Sequence, residues 1–261
     1  MIETSCISEE FGREQRQLVY SGQGYTTNIN VPPPELDTIR SAIKEQWLYR
    51  IQIADPSVVS KISKNNIDIS KYHLVSADLD HAAMWSKTTR VLPISFFNWF
   101  KKSVFCNTLK DVFGLFQISD EENVGWPNIY WRLVRPNEPS DIGPMHRDAW
   151  FWQLNNNFPL PDFPFHRVKV WIPIYVEPGA NGLLVEPFSQ KRTDIRWNGE
   201  ERHGINKPVL LMNDDELKPI LAQTIPGQAV VFNDLLLHGG AVNKGELSRV
   251  SLEFTMLLKN S

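Results

Sequence analysis

From about residue 34 to 52 the apolar positions Leu36, Ile39, Ile43 and Trp47 recur at intervals of three and four, behind a run of prolines. That spacing predicts an amphipathic helix with proline in its first turn. A second helix is predicted over FFNWFKKSVFCNTLKDVFGLF, where Phe97, Phe100, Val104 and Leu109 form an apolar stripe and Lys101, Lys102 and Lys110 a polar one. From about residue 128 the pattern shortens to β-rich runs, IYWRLV, VKVWIPIYV, GLLVE, QAVVF and RVSLEFTML, punctuated by Pro, Gly and Asn. Short strands separated by turn residues point to a sandwich or barrel rather than βαβ units. The expected fold is mainly β. A double-stranded β-helix (jelly roll) occupies about 126–261, helices from about 1–125 support it, and both belong to a single domain spanning 1–261. The polar stretch from Lys191 to Lys218 reads as a surface excursion or lid.

Composition narrows the class. A chain of 261 residues, 42% hydrophobic and 11% aromatic, supplies one well-filled core. With 27 Lys and Arg against 30 Asp and Glu it lacks the basic excess that nucleic-acid or anionic-membrane binding needs, so a small molecule is the expected partner. Cys6 and Cys106 form no CxxC pair and no disulfide framework, which fits a reducing cytoplasm. The acidic start MIETSCISEEFG has no signal-peptide pattern, and no apolar run approaches the roughly 20 residues of a membrane helix. A soluble, cytoplasmic protein is expected, with its oligomeric state left open.

The segment MHRDAWFW sets His146 two residues before Asp148. In extended backbone both side chains leave one face with Cα atoms roughly 7 Å apart, so a nitrogen and a carboxylate oxygen can converge on one ion. Alone, such a pair is more often a hydrogen-bonded surface feature. In PGQAVVFNDLLLHGGAVNKGELSRVSLEFTML, a turn and an apolar strand deliver His238 beside two glycines. Two histidines and one carboxylate leave an octahedral face open, the ligand set of non-haem iron(II) oxygenases. Three open positions suit a bidentate co-substrate plus O2. Arg249 follows eleven residues later, with Ser251 on the same strand face. A guanidinium inside a barrel is costly unless paired; a carboxylate ligand would contribute about 1.5–3 kcal/mol through charge-assisted hydrogen bonds. Ser251 can donate one more. The competing reading pairs Arg249 with Glu253 or a surface acid and involves no ligand.

Taken in order, His146-x-Asp148, His238 about ninety residues on, and Arg249-x-Ser251 resemble the 2-oxoglutarate-dependent dioxygenases, and more narrowly their phytanoyl-CoA hydroxylase-like branch. VKVWIPI followed by NGLLVEPFSQK is similar to that branch's Trp-bearing strand, Asn-Gly-x-Leu turn and Pro-Gly-Ser-His segment. Gly227 to Ser251, with Asn243 in the turn, is similar to its closing stretch. The resemblance covers roughly 128–257. It implies that His146, Asp148 and His238 are at once the metal ligands and the catalytic centre, holding Fe(II). It further implies that Arg249 and Ser251 bind 2-oxoglutarate with Trp171 beside it, and that O2 is consumed as succinate, CO2 and a hydroxylated small organic product form. Asp148 favours hydroxylation over halogenation, since halogenases of the family carry a small residue there. Phe188 and Gln190 depart from the family's usual glycine and histidine, which bears on loop geometry rather than on the ligands.

The family pattern also marks Trp152 as a substrate wall, and its parity turns the Trp131 face of YWRLVRP inward. For each of these aromatics core packing is an equally good reading. Arg132 and Arg135 either recognise an anionic substrate group or are solvated. The aromatic, proline-rich loop near 159–165 caps the site or merely connects. Two alternatives remain: a cupin-type metal enzyme that does not use 2-oxoglutarate, which would recruit more histidines and have no use for a buried Arg249, and a non-catalytic jelly-roll ligand-binding module.

Overall fold

The computed structural model describes residues 7–155, 159–202 and 205–260; Cys6 and His203 fall outside them. The helices are α1 (Glu9–Tyr20), α2 (Pro33–Ala54), α3 (Pro56–Lys64), α4 (His81–Met84), α5 (Ile94–Phe100), α6 (Val104–Phe113) and α7 (Asp148–Leu154). The strands are β1 (Tyr25–Asn30), β2 (Phe116–Ile118), β3 (Tyr130–Val134), β4 (Phe165–Tyr175), β5 (Leu183–Val185), β6 (Trp197–Arg202), β7 (Ile205–Leu210), β8 (Ile220–Leu221), β9 (Gln228–Asn233), β10 (His238–Gly240) and β11 (Arg249–Lys259).

Helix α2 buries Leu36, Ile39, Ile43, Trp47 and Ile51, one residue per turn as its spacing requires. The second predicted helix is instead two, α5 and α6, because new caps form at the break. Ser103 Oγ accepts from the Cys106 amide at 3.0 Å, and the Glu35 carboxylate accepts from the Val104 and Phe105 amides at 2.5 and 3.0 Å. Val104, expected in the apolar stripe, is therefore in a first turn and exposed.

The larger sheet runs β1-β9-β4-β11-β2, with β3 also on β11; the smaller runs β10-β5-β8, and every pairing is antiparallel. Strand alternation sorts the larger sheet into two buried faces. Val168, Val170, Ile172 and Ile174 of β4 and Val250, Leu252, Phe254 and Met256 of β11 join the core under the helices, which extends from Val19 to Leu258. The alternate residues turn to the other face, where Trp171, Val230 and Phe232 pack with Leu183 and Val185 of the smaller sheet. Two facing antiparallel sheets with helices over one outer face make the expected jelly roll. A metal site can form only where polar residues replace this inner packing, towards one end of the sandwich.

The excursion after Lys191 is the β6-β7 hairpin. Trp197 stacks on Trp150 of α7 at 5.0 Å, and Ile195 and Leu237 complete that small cluster. The hairpin is thus packed on the helix that starts at Asp148. No helix among the described residues is long and apolar enough to cross a membrane.

Candidate metal centre and its cavity

The backbones of His146 and His238 are joined directly: each amide donates to the other's carbonyl, at 2.8 and 2.9 Å. This bridge needs the glycines after His238. A Cβ on Gly239 would lie 3.2 Å from the Met145 backbone, and one on Gly240 3.0 Å from Ile142 Cβ. His238 lies at the start of β10, where it pairs with Val185. Ser189 Oγ, fully buried, accepts from the Leu237 amide at 2.8 Å and fixes the preceding residue. Asp148 is not in extended backbone as expected: it is the first residue of α7, and its carboxylate is turned back towards both imidazoles at 3.5 and 3.8 Å.

The ring nitrogens are sorted by their second partners. His146 Nδ1 lies 2.8 Å from the Pro144 carbonyl oxygen and His238 Nδ1 2.9 Å from that of Leu236. Because a carbonyl only accepts, each Nδ1 carries the proton and each Nε2 presents a lone pair to the centre. The donor atoms of His146, Asp148 and His238 all lie within 4.8 Å of one another. Burial holds the His238 imidazole neutral, its pKa pushed down to about 4. Burial alone would raise the Asp148 carboxyl, but Lys169, His238 and His146 hold it well below the usual carboxylate range. Asp148 Oδ2 is buried with no hydrogen-bond partner. Two carbonyl-anchored imidazoles, an ionised carboxylate and an unsatisfied carboxylate oxygen fit a divalent, iron-type ion.

The triad lines a cleft of about 500 Å³, open mouth included. Arg249 and Trp171 line it too. The Arg249 guanidinium, 5.7 Å from the Trp171 ring centroid, is buried and donates to the Gly182 carbonyl at 2.8 Å. Its Nε has no partner, and burial lowers its pKa to about 10, so it stays charged at neutral pH. The ion pair with Glu253 considered from sequence does not form; Glu253 sits 3.2 Å from Arg132 Nε. Ser251 is on the Arg249 face, but its hydroxyl donates to Glu253 Oε1 at 3.2 Å.

Two expected wall residues lie elsewhere. Trp131 is on the opposite face of β3, under the helices, where Nε1 donates to Gln46 Oε1 at 2.7 Å and the ring meets Trp85. Both faces of this sheet are buried, so hydrophobicity does not set the parity; the polar pair Tyr130 and Arg132 faces the cavity. Trp152 is off the cavity, beneath the Arg167 guanidinium at 5.0 Å and edge-on to Phe165. Arg135 is spent on Asp141, Nε and Nη2 at 2.9 and 2.8 Å. Lys169, Tyr130 and Glu253 also line the cleft and were missed. Period-two counting from Arg249 and Trp171 along β11 and β4 was the signal that reaches Glu253 and Lys169.

A family model described as phytanoyl-CoA dioxygenase (PhyH) matches residues 20–251. The chain belongs to the phytanoyl-CoA dioxygenase family. This membership takes in most of the helical half as well as the jelly roll, and it makes the chain an oxygenase of the iron(II)- and 2-oxoglutarate-dependent class, with Fe(II), 2-oxoglutarate and O2 as its cofactor set. Among curated protein sequences none matches. Solved structures with a similar fold include EctD from S. alaskensis in its apo form, at 12% identity over 99% of this chain and 79% of that one, TM-score 0.54. SnoK, a non-haem alpha-ketoglutarate-dependent carbocyclase from nogalamycin biosynthesis, is 12% identical over 98% of this chain and 86% of that one, TM-score 0.51. EvdO2 from Micromonospora carbonacea var. aurantiaca, solved with 2-oxoglutarate, is 12% identical over 64% of this chain, TM-score 0.47; the match spans 65% of its length. At 12% identity the likeness to EctD and SnoK is one of fold.

Proposed function

We propose that this enzyme hydroxylates a small organic substrate at iron(II) held by His146, Asp148 and His238, with release of succinate and CO2 from 2-oxoglutarate. The observation that carries the reading is the buried Arg249 guanidinium, free of any carboxylate partner among the described residues, in the same cleft as a two-histidine, one-carboxylate triad. Bound at the triad, iron(II) supplies the chemistry by which O2 oxidises 2-oxoglutarate and then a substrate C–H bond. The protein supplies the geometry. Its carbonyl-anchored imidazoles keep both Nε2 atoms aimed at one point, and Lys169 keeps Asp148 ionised. Arg249 receives the distal carboxylate of 2-oxoglutarate as a charge-assisted, planar contact, and Trp171, Leu183 and Phe232 exclude water around it. Ser251 acts here by orienting Glu253 as well as by standing beside Arg249.

In this reading one domain carries the activity, because a single apolar core joins α1 and α2 to β4, β9 and β11. A reducing, cytoplasmic setting is part of the proposal, supported by the buried free thiol of Cys106. Iron-dependent succinate formation from 2-oxoglutarate is the test. A cupin-type enzyme or a binding module makes none, and iron binding without succinate under any substrate would overturn the reading.

A further inference from the structure

The cleft has a second charged wall, of which the iron and 2-oxoglutarate assignments use only Lys169, as the neighbour of Asp148, and Glu253, as the partner of Ser251. Tyr130, Arg132, Lys169 and Glu253 form it. Lys169 pairs in register with Thr255, six positions along β11 from Arg249, so the two cationic positions stand at different ends of one row. Around the Tyr130 ring centroid lie Lys169 Nζ at 5.3 Å, Arg132 Cζ at 5.8 Å and Lys87 Nζ at 6.0 Å. Arg90 adjoins the same group, repelled by Arg132 and attracted by Glu253. Three carboxylates face these four cations: Glu253 on Arg132 at 3.2 Å, Glu122 on Lys87 at 3.0 Å, and Glu121 at 3.9 Å from Lys169. Asp148, 3.9 Å from Lys169, is the fourth carboxylate here and the one that bound iron would engage; with it so engaged, this wall would hold one cation more than carboxylates.

The donors are unfilled as well. The Lys169 ammonium donates to Tyr130 Oη at 3.1 Å and Thr255 Oγ1 at 3.3 Å. Its nearest carboxylates, Glu121 and Asp148, both stand at 3.9 Å, beyond hydrogen-bond reach, which leaves its third N–H without an acceptor among the described residues. Arg132 Nε has only its ion pair with Glu253, which is not aligned as a hydrogen bond. Burying surplus charge with unfilled donors is costly unless a ligand fills them, and an apolar acyl chain laid on this wall would increase that cost.

We propose that the oxidised substrate is a small carboxylic acid whose carboxylate is received by Lys169, with the Tyr130 hydroxyl beside it. The inference rests on the oxygenase reading above. The test titrates the anaerobic iron(II)–2-oxoglutarate form of the full chain with short straight-chain and cyclic acids and with the primary amide, amine and alcohol of each skeleton. Readouts are perturbation of the visible band and O2-dependent succinate formation above the uncoupled rate.

The expected result is that acids perturb the band and stimulate turnover, while their neutral and amine counterparts are weaker by about tenfold or more, the scale of one charge-assisted contact. Compared at saturating iron(II) and 2-oxoglutarate, Lys169→Met should abolish that discrimination, and Lys169→Arg should restore part of it. If Lys169→Met does not form the band, discrimination between acid and amide by the wild type decides alone. Amides or amines matching the acids, no acid perturbing the band, or Lys169→Met retaining the wild-type preference for acids would each overturn the proposal while leaving the oxygenase reading in place. Failure of the wild type to form the band removes that reading and this inference together.

Discussion

In the proposed reading Asp148 and Arg249 do separable jobs, and the difference is measurable. Asp148→Ala removes the only anionic ligand of the triad and should abolish succinate formation. Arg249→Ala removes one bidentate contact worth about 1.5–3 kcal/mol, so the 2-oxoglutarate concentration needed for half-maximal rate should rise by roughly one to two orders of magnitude. Steady-state succinate assays check both; wild-type kinetics in either variant contradict its role. Phe188 is a different case. It stands where the family usually has glycine, and it is left-handed, φ 66° and ψ 0°, with its ring exposed. An L residue there costs about 1–2 kcal/mol, and glycine gives back roughly 0.5–1 kcal/mol in chain entropy. Phe188→Gly should therefore stabilise by about 0.5–1 kcal/mol, and a lower Tm would contradict the strain argument. The departure was legible in the sequence, whereas its backbone geometry was not, because nothing local to EPFSQK demands a positive φ.

At the scale of elements, the sequence reports what is buried more clearly than which way it faces. The runs that became β3, β4, β5, β9 and β11 were readable because β-branched and aromatic residues crowd between turn residues. The facing of Trp131 was not, since β3 is covered on both sides and its polar residues, against the usual rule, point to the interior of the sandwich. β1 was missed altogether: YTTNIN is short and half polar, and it is a strand because β9 pairs with it. The two helices read as one show the same limit, since the Glu35 cap on α6 comes from a residue 69 positions away. The β6-β7 hairpin joins this scale to the site. If its stacking of Trp197 on Trp150 positions α7, then Trp197→Ala should weaken iron(II) binding severalfold while costing about 1–3 kcal/mol of stability. Metal titration followed by a fluorescent chelator checks it, and unchanged iron affinity would make the hairpin a mere cover.

For the whole molecule, burial of neutral histidines ties stability to pH. His238 and His81 are both pushed down to about 4 by burial, against 6.5 in the unfolded chain. Between about pH 6.5 and 4 the unfolded state therefore binds protons that the folded state refuses, so the metal-free protein loses stability as pH falls, by about 1.4 kcal/mol per unit for each group. Below about pH 4 their contribution ends. Denaturant melts across that range should show the slope, and His238→Gln should remove its share; a flat profile would contradict the buried neutral state. The same burial makes the centre a ready metal site at neutral pH, since His238 has no proton to lose from Nε2. The most direct measurement is anaerobic reconstitution with iron(II), followed by 2-oxoglutarate, watching for the weak visible charge-transfer band of a chelated iron complex. The account predicts that the band appears and is lost, at matched concentrations, in His238→Ala and Arg249→Ala. Iron bound normally with no band would contradict it.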